Sequence, residues 1–287
     1  MSERLMIGAH LSTSQGLPAM VRNAVALGAS CAQIFTSSPQ QWRGKQYTAA
    51  EGAALQAALA ETGVGPIISH DSYLINLAST DPVMLEKSRD AFREELLRCG
   101  VLGLPMAVMH LGAYKGGTLE EGLARLAESL NLLIPVADAA GVQIVLETTA
   151  GQGTYLGGDF AQFPQIFSMI PAQQRLGVCL DTCHVFVAGY DLRDAEHYAQ
   201  LWAAFDEHIG LERLKVIHVN DTERALGSHG DRHANIGQGQ LGLEAFRLLM
   251  QDARLAGVPK ILETPGGEAQ HGENLRMLRA LAAEVAQ

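Results

Sequence analysis

Short apolar runs punctuate the chain, and between them apolar positions recur every three or four residues. The runs are LMIGAH (5–10), CAQIF (31–35), VGPIISH (64–70), PMAVMH (105–110), VQIVLE (142–147), LGVCLD (176–181), LKVIHV (214–219) and KILET (260–264). Each is brief, apolar and often β-branched, which predicts strands covered on both faces. Segments such as PAMVRNAVALGA, AALQAALAETG and TLEEGLARLAESLNLLIPVADAAG carry helical spacing instead. Several end in glycine, the usual helix stop; in GLEAFRLLMQDARLAGVP the expected stop is Gly257 with Pro259.

Eight strands alternating with helices predict an α/β fold, an eight-stranded parallel (β/α)8 TIM barrel whose active site lies at the C-terminal ends of the strands. An open doubly wound sheet needs no particular strand count, and no Gly-x-Gly-x-x-Gly turn follows the first run. No linker or low-complexity tract interrupts the pattern, so residues 1–287 read as one domain.

The ends of the runs are polar. The third ends in His70 and the fourth in His110, the fifth in Glu147 and the sixth in Asp181. The seventh carries His218 near its end and the eighth ends with Glu263. One strand-end histidine is ordinarily a hydrogen-bonded core residue, and one strand-end acid is ordinarily a helix N-cap. Six in succession at one barrel mouth would suffer desolvation and mutual carboxylate repulsion unless something paired them. Divalent metal removes both problems. His184, three residues after Asp181, could reach the mouth from the following loop. In GSHGDRHANIG (227–237), Asp231 and His233 stand two apart, so an extended backbone would point both the same way. Imidazole and carboxylate without thiolate suit zinc, and manganese or iron less well.

Charge then alters the picture. A formal net charge of −10 argues against an extended basic surface for nucleic acid. The count omits bound ions, however, and three divalent ions against four carboxylates would leave the mouth at roughly +2. A polynuclear cluster of that kind serves phosphoester hydrolysis most naturally. No apolar run reaches the roughly 18 residues of a membrane span. The opening MSERLMIGAH lacks a signal pattern, and the four cysteines form no zinc knuckle, so a cytoplasmic chain with no membrane partner is expected.

With these residues in view, the chain resembles the endonuclease IV family, zinc-dependent apurinic/apyrimidinic endonucleases of DNA repair. GAHLSTSQGL, SHDSYLINLA, LETTAGQG, CLDTCH, IHVNDTERALGSHGDRHANIG and LETP follow in family order from end to end. The resemblance implies three zinc ions, with manganese an alternative at one site. His70 and His110 would hold the first, with Glu147 bridging it to a second completed by Asp181, His218 and Glu263. His184, Asp231 and His233 would hold the third. It further implies that Glu147, Asp181, His218 and Glu263 are catalytic. A hydroxide between the metals would attack phosphorus on the 5′ side of an abasic nucleotide in duplex DNA, leaving a 3′-hydroxyl and a 5′-deoxyribose phosphate. Tyr73 and Leu74 would wedge into the minor groove.

Two segments depart from the family pattern. Where Lys-Asn-x-Arg-Gln-Trp is common, this chain has SSPQQW, placing Gln40 at the arginine position as a weaker DNA contact. Where Asn-Asp-Ser-Lys is usual, it has Asn220-Asp221-Thr222-Glu223. Both changes remove positive charge from the expected DNA face, which should weaken binding and flatten its salt dependence. Trp42 and His10 are equally expected to line the site or to pack.

The alternative is a sugar isomerase or epimerase on the same kind of barrel. It would use Glu147, Asp181, His218 and Glu263 around a single ion and leave the other five ligands without a joint role. A monomer is expected, since gripping a bent duplex needs a free mouth.

Overall fold

The computed structural model describes residues 5–284. Eight parallel strands close into a barrel: β1 (Ile7–His10), β2 (Cys31–Phe35), β3 (Ile67–His70), β4 (Met106–His110), β5 (Gln143–Glu147), β6 (Leu176–Asp181), β7 (Leu214–His218) and β10 (Lys260–Leu262). Neighbours pair in sequence order, and β10 closes the ring between β7 and β1. The remaining two strands, β8 (Asp221–Thr222) and β9 (His233–Ala234), form a small antiparallel ribbon above the mouth.

The helices lie between the strands: α1 (Leu17–Leu27), α2 (Ala49–Thr62), α3 (Pro82–Leu102), α4 (Leu119–Ala140), α5 (Gln162–Ser168), α6 (Thr182–Ala188), α7 (Ala195–His208), α8 (Gly242–Gln251) and α9 (Gly267–Ala283). Their starts and stops are written locally. Thr48 and Thr118 each form a capping box with the glutamate three residues on, at Glu51 and Glu121. α8 stops earlier than its apolar spacing suggests. It ends at Gln251 rather than near Gly257, because the Asp252 side chain accepts from Arg254 N–H and starts a 3₁₀ turn at Ala253–Leu255.

The barrel interior decides where the site lies. Cys31, Ile68, Val108, Val145, Cys179, Val216 and Ile261, one from each of seven strands, form an inner apolar cluster. On β1 the corresponding place is Gly8, paired with Cys31 and Ile261. A Cβ there would sit 1.9 Å from the Cys31 carbonyl oxygen, so the barrel closes only around glycine. Strand side chains alternate, so the residue two further along each strand faces inward again, nearer the mouth. Those residues are His10, Gln33, His70, His110, Glu147, Asp181, His218 and Glu263. Every strand path thus delivers one polar side chain to the same end of the barrel.

Candidate metal centre

Glu147 lies at the middle, fully buried, and both its oxygens are engaged. Oε2 is 3.1 Å from His70 Nε2 and 3.0 Å from His110 Nε2. Oε1 is 2.9 Å from His218 Nδ1 and 3.3 Å from His184 Nδ1. Four ligand-capable groups result: His70, His110 and Glu147; Glu147, Asp181, His218 and Glu263; His184, Asp231 and His233; and Asp181, Cys183 and His233, which shares a member with each of the two before it. Within each, the donor atoms lie within 4.8 Å of one another. The structure therefore brings together all nine residues singled out in the sequence, with Glu147 shared by two groups.

Two of the nine sit on different local structure from that expected. His184 is not on a loop but in the first turn of α6, whose N-cap is Asp181. Asp181 caps α6 with one oxygen and turns the other toward the cluster. Oδ1 accepts the His184 N–H at 3.0 Å, while Oδ2 faces His218 at 3.8 Å and His233 at 3.6 Å. Glu263 lies one residue beyond β10 rather than on it, because pairing with β7 and β1 ends by Leu262. Asp231 and His233 converge as their spacing implies: His233 opens β9, and its Nε2 is 3.4 Å from Asp231 Oδ1.

The outward faces of the imidazoles test whether cations fit. His70 Nδ1 meets the Asp71 carbonyl at 2.9 Å, His184 Nδ1 the Thr148 carbonyl at 2.8 Å, and His233 Nδ1 the Glu263 carbonyl at 3.2 Å. A carbonyl only accepts, so each of these nitrogens carries its hydrogen and Nε2 is left facing the carboxylates. Buried nitrogen lone pairs turned toward buried carboxylates need a positive charge between them. Without metal the charge is a proton. Burial pulls His70 and His233 down, but the carboxylates beside them outweigh it and hold both at about 10. Burial likewise opposes the charge on Glu147, yet the surrounding imidazoles, His218 first, keep it well below the usual carboxylate range. The same field that holds protons here would favour divalent cations, whose binding would release those protons. The donors are imidazole nitrogen and carboxylate oxygen, with the Cys183 thiol beside Asp181 and His233, all of which zinc accepts.

Three contributors escaped the sequence reading. Asn220, buried, donates to Asp181 Oδ2 at 2.7 Å and accepts the Glu263 N–H at 2.8 Å. Thr148 Oγ1 accepts the Asp181 N–H at 3.0 Å. Gln33, wholly buried, touches His10, His218 and Glu263. Its signal was an amide in the middle of CAQIF, in step with the inward-facing positions of the other strands. His10 lines the site and meets Glu263 at 3.6 Å.

Outside the cluster, a groove of about 440 Å³ runs past Trp42, Tyr73, Leu74, Lys115 and Tyr155 to His184 and Asp231. Tyr73 is 67% exposed and its ring meets Phe35 edge-on at 5.5 Å, whereas Leu74 is half-buried. Ser72 donates to the Pro39 carbonyl at 2.7 Å, tying the Tyr73 loop to the segment that bears exposed Gln40. Asn76 holds the same loop to Ala113, accepting its N–H and donating to its carbonyl, both at 2.9 Å. Of the second departing segment, Asn220 and Asp221 are buried, Asp221 accepting from Gly239 and Leu241, and Glu223 is exposed.

An eight-stranded barrel whose strands aim imidazoles and carboxylates at one mouth is the architecture of the xylose isomerase-like TIM barrels, and the family model of that description matches residues 21–281. Within that class the chain belongs to the endonuclease IV family. It is 48% identical to a probable endonuclease 4 of Chloroflexus aggregans over 276 residues, 96% of each chain. The crystal structure of endonuclease IV from Thermus thermophilus superposes with a TM-score of 0.84 at 35% identity, covering 98% of this chain and 100% of that one. A D-psicose 3-epimerase of Clostridium cellulolyticum shares the fold, with a TM-score of 0.70 at 16% identity over 97% of this chain and 99% of that one.

Proposed function

We propose that the chain is a zinc-dependent DNA-repair endonuclease that hydrolyses the phosphodiester 5′ to an abasic site in duplex DNA. The products are a 3′-hydroxyl and a 5′-deoxyribose phosphate. The observation that carries this reading is the convergence of the nine imidazole and carboxylate residues into adjoining ligand-capable groups, two of them sharing Glu147, beside an open groove. Zinc held there supplies Lewis-acid charge at the phosphate oxygens and lowers the pKa of a water at neutral pH.

The chain's residues supply the rest. Glu147, engaged by imidazoles on both oxygens, is the residue that would hold two of the ions. Asp181 and Glu263, held by Asn220, fix the second site. Asp231, 38% exposed at its side chain, places the third group on the solvent side, where a phosphate can approach. Tyr73 and Leu74 stand beside the groove as the wedge at the damaged step, with Gln40 on the adjoining segment as a peripheral contact. The carboxylate-rich second site is where manganese competes best with zinc.

A single-ion sugar epimerase is the second reading, supported by the shared fold and by the quartet Glu147, Asp181, His218 and Glu263. Metal analysis separates the two. Protein loaded with zinc and freed of excess should hold three ions per chain, lose incision of abasic duplex on chelation, and regain it with zinc. One ion per chain, with ketose epimerisation, would favour the epimerase.

A further inference from the structure

Seven of the eight inward residues at the mouth can donate a lone pair from an imidazole or carboxylate. The eighth is the Gln33 amide, which hydrogen-bonds to the seven's members on β1, β7 and the end of β10. Its orientation follows from its partners. Glu263 Oε1, 2.6 Å from Gln33 Nε2, is an acceptor when ionised, so the nitrogen lies on that side. Nε2 also reaches His10 Nδ1 at 3.1 Å, and Oε1 is left 2.8 Å from His218 Nε2. His218 Nε2 therefore carries a hydrogen, and Nδ1 turns to Glu147 at 2.9 Å and Glu263 at 3.2 Å.

That is the reverse of its neighbours. His70, His184 and His233 present Nε2 inward and keep Nδ1 on a backbone carbonyl. Backbone carbonyls are fixed by the strand and helix that bear them. For His218 the outward nitrogen depends on a side chain, and the same side chain tethers a second member of its group. Gln33 is buried at 0% exposure, beyond the reach of substrate in the groove.

We propose that Gln33 is a positioning residue of the group formed by Glu147, Asp181, His218 and Glu263. It selects the tautomer in which His218 offers Nδ1, and it sets the Glu263 carboxylate beside it, so it governs how tightly this one site holds its ion. The proposal rests on the reading that the mouth binds metal.

The test uses full-length protein with Gln33→Met, close in length but without hydrogen bonds, and Gln33→Ala, which adds no bulk where Met does not fold. Metal-stripped wild type and variants are titrated with zinc against a chromophoric chelator. Long-range ¹⁵N–¹H spectra of the loaded proteins report which nitrogen of each imidazole is protonated. The expected result is a 10- to 100-fold weaker hold on one ion, with the other two unchanged. The His218 signals alone should lose their single-tautomer pattern. Wild-type affinity at all three sites with unshifted His218 signals would overturn the role assigned to Gln33. Failure of the wild type itself to bind zinc would instead overturn the metal reading beneath it.

Discussion

Replacing Asn220 with alanine should cost more than any surface change of the same size. The amide joins three strand ends: it sits just past β7, donates to Asp181 at the end of β6, and accepts from the Glu263 N–H beyond β10. Asn220→Ala removes a hydrogen bond to an ionised carboxylate, worth about 1.5–3 kcal/mol. It also leaves the half-buried Glu263 N–H without its acceptor, at about 1–3 kcal/mol. The backbone bond from Asn220 N–H to Thr182 Oγ1, at 2.9 Å, survives. The sum is roughly 2.5–6 kcal/mol, and for a chain of this size each kcal/mol moves the melting temperature by about 2–4 °C. Scanning calorimetry of metal-stripped wild type and variant should therefore show a drop of roughly 5–24 °C. Stripping matters, because ions bound to Asp181 and Glu263 would mask the loss. A melting temperature within about 2 °C of wild type would refute the clamp.

Tyr73→Ala should leave stability within about 1 kcal/mol, since the ring is exposed. It should weaken binding to abasic duplex about 10-fold or more in fluorescence anisotropy, and equal affinity would remove Tyr73 from the interface. Gln40→Arg and Glu223→Lys should each tighten DNA binding. Each should also steepen the slope of log K against log salt by about 0.9 per new phosphate contact, and unchanged slopes would place those positions off the DNA face. Lys260 is buried at the start of β10, donating to the Leu255 and Val258 carbonyls, and burial pushes its ammonium from 10.5 down to about 8. Between those values the unfolded chain binds a proton that the folded chain does not, so stability must rise with pH there. Relative to Lys260→Met, wild type should gain about 2–3 kcal/mol in urea unfolding between pH 8 and 10.5, and a constant difference would show that Lys260 is solvated.

The barrel was legible because its strands are buried on both faces, so each of the eight reads as an apolar run against an amphipathic background. The ligand groups were legible because those runs end in residues that resist burial. What escaped was set by partners far away in sequence. Asn220 and Gln33 are neutral amides, unremarkable until β-barrel closure places Gln33 beside residues 185 and 230 positions distant. The helix that carries His184 leaves no trace in the sequence, because α6 is only seven residues long and carries no periodic pattern. The two-residue strands β8 and β9 pair across an 11-residue separation, Thr222 to His233, and neither is long enough to show alternation. The early stop of α8 depended on one side chain, Asp252, turning back on its own backbone.

A duplex with one tetrahydrofuran abasic analogue tests most directly whether the protein hydrolyses DNA beside an abasic nucleotide. The analogue has no aldehyde, so β-elimination cannot cut it. Zinc-loaded protein should cleave on its 5′ side, and mapping on a sequencing gel should show a 3′ end that a polymerase extends. An intact duplex at low salt, with three ions confirmed in the protein, would contradict the assignment of this metal centre to abasic DNA.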